Sequence, residues 1–194
     1  MRAVFFLTLA ALASAQTTPE IDNAWVRVSR LKLAPHAKTP PSKRLDSVIV
    51  YVTGASAGKI AWLDAGQHTE ENSSDQPLEA VVTELKPAPA GPAQPRVSLD
   101  PVKLDPEHHL VPFENARVRV LRTILEPHLK SPMHEHPHYV VVYLTELHTT
   151  MVLGDGRAVD NPRRPGEIAW RDFMKHETEN LGDRTAVEIQ IELK

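Results

Sequence analysis

The chain is written twice. Residues 58–86, GKIAWLDAGQHTEENSSDQPLEAVVTELK, lie without a gap over residues 166–194, GEIAWRDFMKHETENLGDRTAVEIQIELK. Gly58, Trp62, His68, Asn72 and Glu84 return as Gly166, Trp170, His176, Asn180 and Glu192. The upstream halves match as well, residues 22–54 over residues 114–146, so that Arg30, Pro35, His36 and Tyr51 return as Arg122, Pro127, His128 and Tyr143. Two copies of one sequence fold as two copies of one supersecondary unit, and this restricts the chain to paired, similar halves. Only the middles differ. The first copy has ASA where the second carries LHTTMVLGDGRAVDNPRRP, and the Gly154-Asp155-Gly156 turn between apolar runs predicts an extra hairpin there.

Each copy is rich in short strands. WVRVSRLKL, DSVIVYV and LEAVVTEL in the first, and ARVRVLRTIL, YVVVYL, TTMVL, EIAW and TAVEIQIEL in the second, carry the alternation or the short β-branched runs of strands. Seventeen prolines argue against a helical bundle, because proline disrupts helix interiors and is tolerated in turns and at strand ends. The expectation is an all-β chain of two packed barrels or sandwiches. Its boundaries are residues 16–86 for the first repeat, 87–112 for a proline-rich connector whose start is extended and solvated, and 113–194 for the second repeat.

The first residues, MRAVFFLTLAALASAQ, combine one arginine, an apolar run and the small residues Ala13 and Ala15. The run is shorter than the roughly 20 residues that a membrane-crossing helix needs, so residues 1–15 are expected to be a signal peptide cleaved near Ala15-Gln16. The protein is then exported, periplasmic or secreted, with no membrane span. There is no cysteine, which excludes disulfides, thiolate ligands and a cysteine nucleophile. Lysine and arginine are scattered and the formal net charge is -3, so no nucleic-acid surface is expected.

The second copy resembles the cupin superfamily. That family carries a His-x-His pair, and later a Pro-x-Gly turn followed by a His with an Asn four residues beyond. Here His134 and His136 form the pair and His176 with Asn180 the later motif. Pro165-Gly166 stands near the expected turn but is adjacent where the pattern has one residue between, and His176 lies further from the glycine than usual. The likeness extends over both repeats. It implies a tandem cupin (bicupin) of double-stranded β-helix, or jelly-roll, barrels, most like the small cupins described as quercetin-dioxygenase-like. The position of the family's glutamate is held by Val141, so the usual carboxylate ligand is absent. In the first copy Ser42 and Arg44 replace His134 and His136, leaving only His68. A single imidazole cannot build a site of three or four ligands, so the first repeat is expected to be a shortened, metal-free half.

Residues at i and i+2 on a strand face the same side, so His134 and His136 share a face and His176 adds a third nitrogen. The resemblance implies a divalent metal, for which iron, manganese, nickel, copper and zinc all suit imidazole ligation. Three neutral imidazoles leave the ion's charge uncompensated and favour an anionic ligand. His138 continues the alternation, and with Asn180 is a candidate to stand behind the ligands. His36 and His128 follow matched prolines and suggest a shared turn. Trp62 and Trp170 read as packing, Arg27 and Arg119 as solvated outer-face residues, and Glu146 as a solvent-facing charge. His108 and His109 fall in the connector and carry no assigned chemistry. A metal-dependent, dioxygenase-like enzyme acting on a small anionic organic substrate fits these residues. So do a non-catalytic cupin that binds a small ligand and an interaction protein that docks through its first half. The repeats could pair within one chain, or two chains could pair as a homodimer.

Overall fold

A computed structural model describes residues 18–90 and 94–194. The expected signal peptide, residues 1–15, lies outside the described residues. Among the described residues no helix is long and apolar enough to cross a membrane. The first repeat holds β1 (Ile21–Asp22), β2 (Val26–Leu33), β3 (Ser42–Arg44), β4 (Ser47–Tyr51), β5 (Ile60–Leu63), β6 (Gly66–His68) and β7 (Leu78–Leu85). A short helix α1 (Pro101–Leu104) follows. The second repeat holds β8 (His109–Glu114), β9 (Val118–Leu125), β10 (His134–His136), β11 (Tyr139–Tyr143), β12 (Leu147–Leu153), β13 (Ala158–Arg163), β14 (Ile168–Arg171), β15 (Met174–Asn180) and β16 (Ala186–Leu193).

The two halves build matching sheets, ordered β1-β2-β7-β4-β5 and β14-β11-β16-β9-β8, with antiparallel pairing throughout. Each half adds a second sheet that closes its barrel: β3-β6 in the first and β10-β15-β12-β13 in the second. The β12–β13 hairpin turns at Gly154-Asp155-Gly156, with Gly156 at φ 84°. It is the element that the first half lacks.

Strand alternation sorts the side chains into three cores. Val26, Val28, Val48, Val50 and Val81 of the first half meet Val118, Val120, Val140, Val142, Ile189 and Ile191 of the second, and this cluster fuses the two large sheets face to face within one chain. Each such buried side chain stabilises the fold by roughly 1.5–3 kcal/mol. The opposite faces of the same strands fill the barrels, with Leu31, Leu33, Ile49, Ala80 and Val82 in the first and Leu125, Tyr139, Val141 and Tyr143 in the second.

Contacts across the seam are reciprocal. Arg30 donates to the Gly166 carbonyl at 2.8 Å, and its repeat mate Arg122 donates to the Gly58 carbonyl at 3.2 Å. Arg117 pairs with Asp46 at 2.9 Å, while the mates of those two residues, Trp25 and His138, stack with ring centroids 4.9 Å apart. The halves are therefore related by a pseudo-twofold, as subunits are in a symmetric dimer.

Recurring residues with no chemistry of their own hold the turns. His36 and His128 both sit at positive φ, 56° and 59°, and each faces an aspartate, Asp75 or Asp183. Trp62 packs on Phe113 and Trp170 on His138, both against the shared core. The connector differs from its expected course. Its second part is ordered structure of the second half: α1, then β8 hydrogen-bonded to β9. Proline content marks its start, but β8 draws its pairing from a strand that lies after it in the chain.

Candidate metal centre

Strand register brings the three histidines together. His134 and His136 share one face of β10, and the antiparallel pairing of β10 with β15 sets His134 directly opposite His176. Their ligating atoms all lie within 4.8 Å of one another, and all three residues are buried. Ring centroids are 4.8 Å apart for His134 and His136, 4.6 Å for His134 and His176, and 5.4 Å for His136 and His176. Two nitrogens each about 2.1 Å from one ion are at most about 4.2 Å apart, so the cluster needs only to tighten slightly around an ion.

Hydrogen bonds fix which nitrogen is bare. The Nδ1 of His134 lies 2.7 Å from the Pro132 carbonyl, which can only accept, so Nδ1 carries the proton and Nε2 keeps its lone pair. His136 Nδ1 donates to Glu192 Oε1 at 2.7 Å, leaving Nε2 buried with no partner. Nδ1 of His176 is also buried without a partner. Burial lowers the pKa of all three imidazoles, well below the usual value for His136 and His176, so they are neutral and able to ligate. Orphaned lone pairs on a neutral all-imidazole donor set fit a divalent transition metal.

Glu192 is the carboxylate behind the ligand. It accepts from His136 on one side and from Arg119 Nε, at 2.6 Å, on the other, and Arg119 pairs in turn with Asp100 at 3.0 Å. Burial raises the Glu192 pKa and Arg119 opposes the rise. This carboxylate–histidine arrangement holds the ring orientation and strengthens the imidazole as a donor. Arg119 is therefore no outer-face residue; the segment around α1 covers it. Glu135 is turned away from the histidines, but it is buried and accepts from Ser98 N, Ser98 Oγ and Leu99 N, which ties the connector to β10.

His109, at the start of β8, completes the ring of imidazoles. It is 2% exposed, and its centroid lies 5.1 Å from that of His134 and 6.5 Å from that of His136. Nδ1 donates to the Asp105 carbonyl at 3.2 Å, and burial lowers the pKa to about 4. Only its place in the fold reveals it, since neither its spacing nor a repeat mate marks it in the sequence.

Two other sequence candidates stand elsewhere. His138 sits between Trp25 and Trp170, 3.3 Å from Asp172, because Pro137 breaks the alternation that would have carried it inward. Asn180 donates to the carbonyls of Leu125, Glu126 and Arg184 and accepts from Gly182 N. Its mate Asn72 binds the carbonyls of Leu33, Ala34 and Gln76 in the same way, so this asparagine holds a loop rather than a ligand. In the first half Ser42 faces His68 in the register of His134 and His176, and His68 Nε2 bonds the Asp64 carbonyl at 2.7 Å.

The interiors of the two barrels differ position by position. Leu31, Leu63, Ala80 and Val82 of the first correspond to Thr123, Arg171, Glu188 and Gln190 of the second. All four polar residues line the cavity beside His109, His134 and His176, where about 30 Å³ is open, close to the volume of one water molecule. Thr123 Oγ1 and Gln190 Oε1 are buried there without hydrogen-bond partners.

Sixteen strands among the described residues, arranged as two such barrels, have counterparts among solved structures. The chain is similar to AerE from Microcystis aeruginosa (TM-score 0.63, 13% identity, covering 91% of this chain and 96% of that one). It is similar to a cupin 2 conserved barrel domain protein from Leptotrichia buccalis (TM-score 0.56, 11% identity, 96% and 92%). The fold is that of a cupin. A third similar structure is salicylate 1,2-dioxygenase from Pseudoaminobacter salicylatoxidans (TM-score 0.58, 10% identity, 87% and 68%). No family model matches this chain, and neither does any curated protein.

Proposed function

We propose that this cupin is an exported, metal-dependent enzyme that acts on a small anionic organic substrate. The observation that carries this is the orphaned, neutral imidazole cluster at the end of a polar barrel whose sister barrel is apolar at the matching positions. A divalent ion held by His134, His136 and His176 supplies Lewis acidity and, if redox-active, electrons for oxygen chemistry. The chain's own residues do the rest. Glu192 and the Pro132 carbonyl keep two of the rings oriented. Arg171, which donates to Asn161 at 3.2 Å, adds positive charge at the cavity wall and suits a carboxylate or enolate. Similarity to salicylate 1,2-dioxygenase supports oxidative chemistry, although the narrow cavity admits an aromatic acid only if side chains at its mouth move.

The same narrowness favours a second reading, a non-catalytic cupin that holds a metal or a very small ligand. Elemental analysis of the purified protein beside a His134→Ala/His136→Ala variant tests the metal centre. Near-stoichiometric metal that disappears from the folded variant is expected, and metal-free wild-type protein after reconstitution would sink the enzyme reading and leave only a metal-free small-ligand binder. Oxygen uptake by the loaded protein across a panel of small carboxylic acids then separates enzyme from binder. Secretion of a chain carrying residues 1–15, with a new N-terminus near Gln16, tests export.

A further inference from the structure

We propose that the first barrel is a separate ligand site, one that takes an organic carboxylate on Arg44 at the place where the second barrel gathers its imidazoles. Arg44 is the repeat mate of His136 and Ser42 that of His134, on a strand paired in the same register. Both line a cavity of about 680 Å³ together with Arg27, Leu31, Val82 and Glu84. The mates of those four are Arg119, Thr123, Gln190 and Glu192, so this is the same end of the barrel that holds the histidines in the second half. There the β12–β13 hairpin, α1 and His109 close it down. Among the described residues, the first half has no counterpart of them, and the cavity falls in the range usual for small-molecule sites.

The charges around the cavity are not all available. Arg27 pairs with Asp22, Arg30 with Glu20 and Glu79, and Lys32 with Glu79. Arg44 and Lys43 have no ion pair among the described residues, and Arg44 Nε is buried without a hydrogen-bond partner. Glu84 is the facing carboxylate, and one of its oxygens accepts from Leu45 N at 3.2 Å. Two uncommitted cations against one carboxylate leave room for a single negative charge. A planar guanidinium fork with no ion pair matches a carboxylate, and Leu31 and Val82 beside it suit an apolar body rather than a bare inorganic ion. None of this depends on metal in the second barrel.

Titration calorimetry of the full chain with benzoate, octanoate and inorganic phosphate tests the assignment. Benzoate or octanoate should bind more tightly than phosphate, and Arg44→Gln should weaken that binding about tenfold or more, since a charge-assisted bidentate contact is being removed. The His134→Ala/His136→Ala variant should bind like the wild type. Four results overturn the site: no binding of either carboxylate, binding of phosphate as tight as theirs, unchanged binding in a folded Arg44→Gln variant, or loss of binding in the double-histidine variant. Should Arg44→Gln fail to fold, Arg44→Lys, which keeps the charge and loses the fork, decides in its place; binding at wild-type strength then overturns the assignment.

Discussion

Replacing Asn180 by alanine should destabilise the protein without emptying the metal centre. The amide nitrogen of Asn180 reaches the carbonyls of Leu125, Glu126 and Arg184 at 3.0, 3.1 and 2.9 Å, and its oxygen accepts from Gly182 N at 3.0 Å. An amide has two hydrogens, so three acceptors share them, and the side chain is worth about three net hydrogen bonds. At about 1 kcal/mol each, with part of the desolvation of the abandoned carbonyls added, the loss is about 3–4 kcal/mol. That is a large share of the 5–15 kcal/mol typical of a folded domain, so the shift in urea midpoint should be unmistakable. Asn72→Ala should behave alike, because Asn72 holds three carbonyls in its own half. The two losses should add, since the residues share no partner. Urea denaturation followed by tryptophan fluorescence gives the stability, and elemental analysis of the folded variant gives the metal. A variant within 1 kcal/mol of wild type that has lost its metal would show that Asn180 serves the ligands, and the loop assignment would fall.

Glu192→Gln removes the charge behind His136 and should weaken metal binding about tenfold or more while leaving the barrel folded; competition with a chromogenic chelator measures it, and unchanged affinity would mean that the His136–Glu192 contact does nothing for the ligand. Burial raises the Glu188 pKa from 4.5 to about 7, against the pull of Gln190, Arg171 and Arg163. Between those values the folded state keeps a proton that the unfolded chain releases, so this group lowers stability as pH rises through the window. A rise of that size corresponds to about 3 kcal/mol, and because part of the side chain stays open to solvent, about 2 kcal/mol is expected. Glu188→Gln should therefore gain about 2 kcal/mol on the wild type between pH 5 and pH 8 in urea denaturation, whereas a pH-independent difference would mean that the carboxyl ionises freely. Ile189, fully buried between the two large sheets, should cost about 2–5 kcal/mol on truncation to alanine, with both halves unfolding in one transition; two separate transitions would contradict a shared core.

Much of this architecture is visible in the amino-acid sequence because its cause is local. The ungapped repeat determines two like halves, and the valine and isoleucine alternation of β2, β9 and β16 determines which faces meet at their seam. The Gly-Asp-Gly turn marks the added hairpin, and the i, i+2 spacing of His134 and His136 places them on one face. Local pattern fails where a barrel interior is polar. MKHETEN shows no apolar alternation, yet β15 is a full strand whose inward residues are His176, Thr178 and Asn180. Its pairing with β10 and β12 supplies what its own composition does not.

The tertiary structure alone decided what surrounds the histidines. His109 and Glu192 reach the cluster from strands that lie far from His134 and from each other in the chain, and Arg119 is half-buried only because the connector folds back over it. His138 and Asn180 sit at suggestive spacings but are claimed by a tryptophan stack and by a loop's carbonyls. Spacing reports which side of a strand a residue occupies; what stands across from it is set by sheet register and by which barrel end is covered, and those are properties of the whole chain.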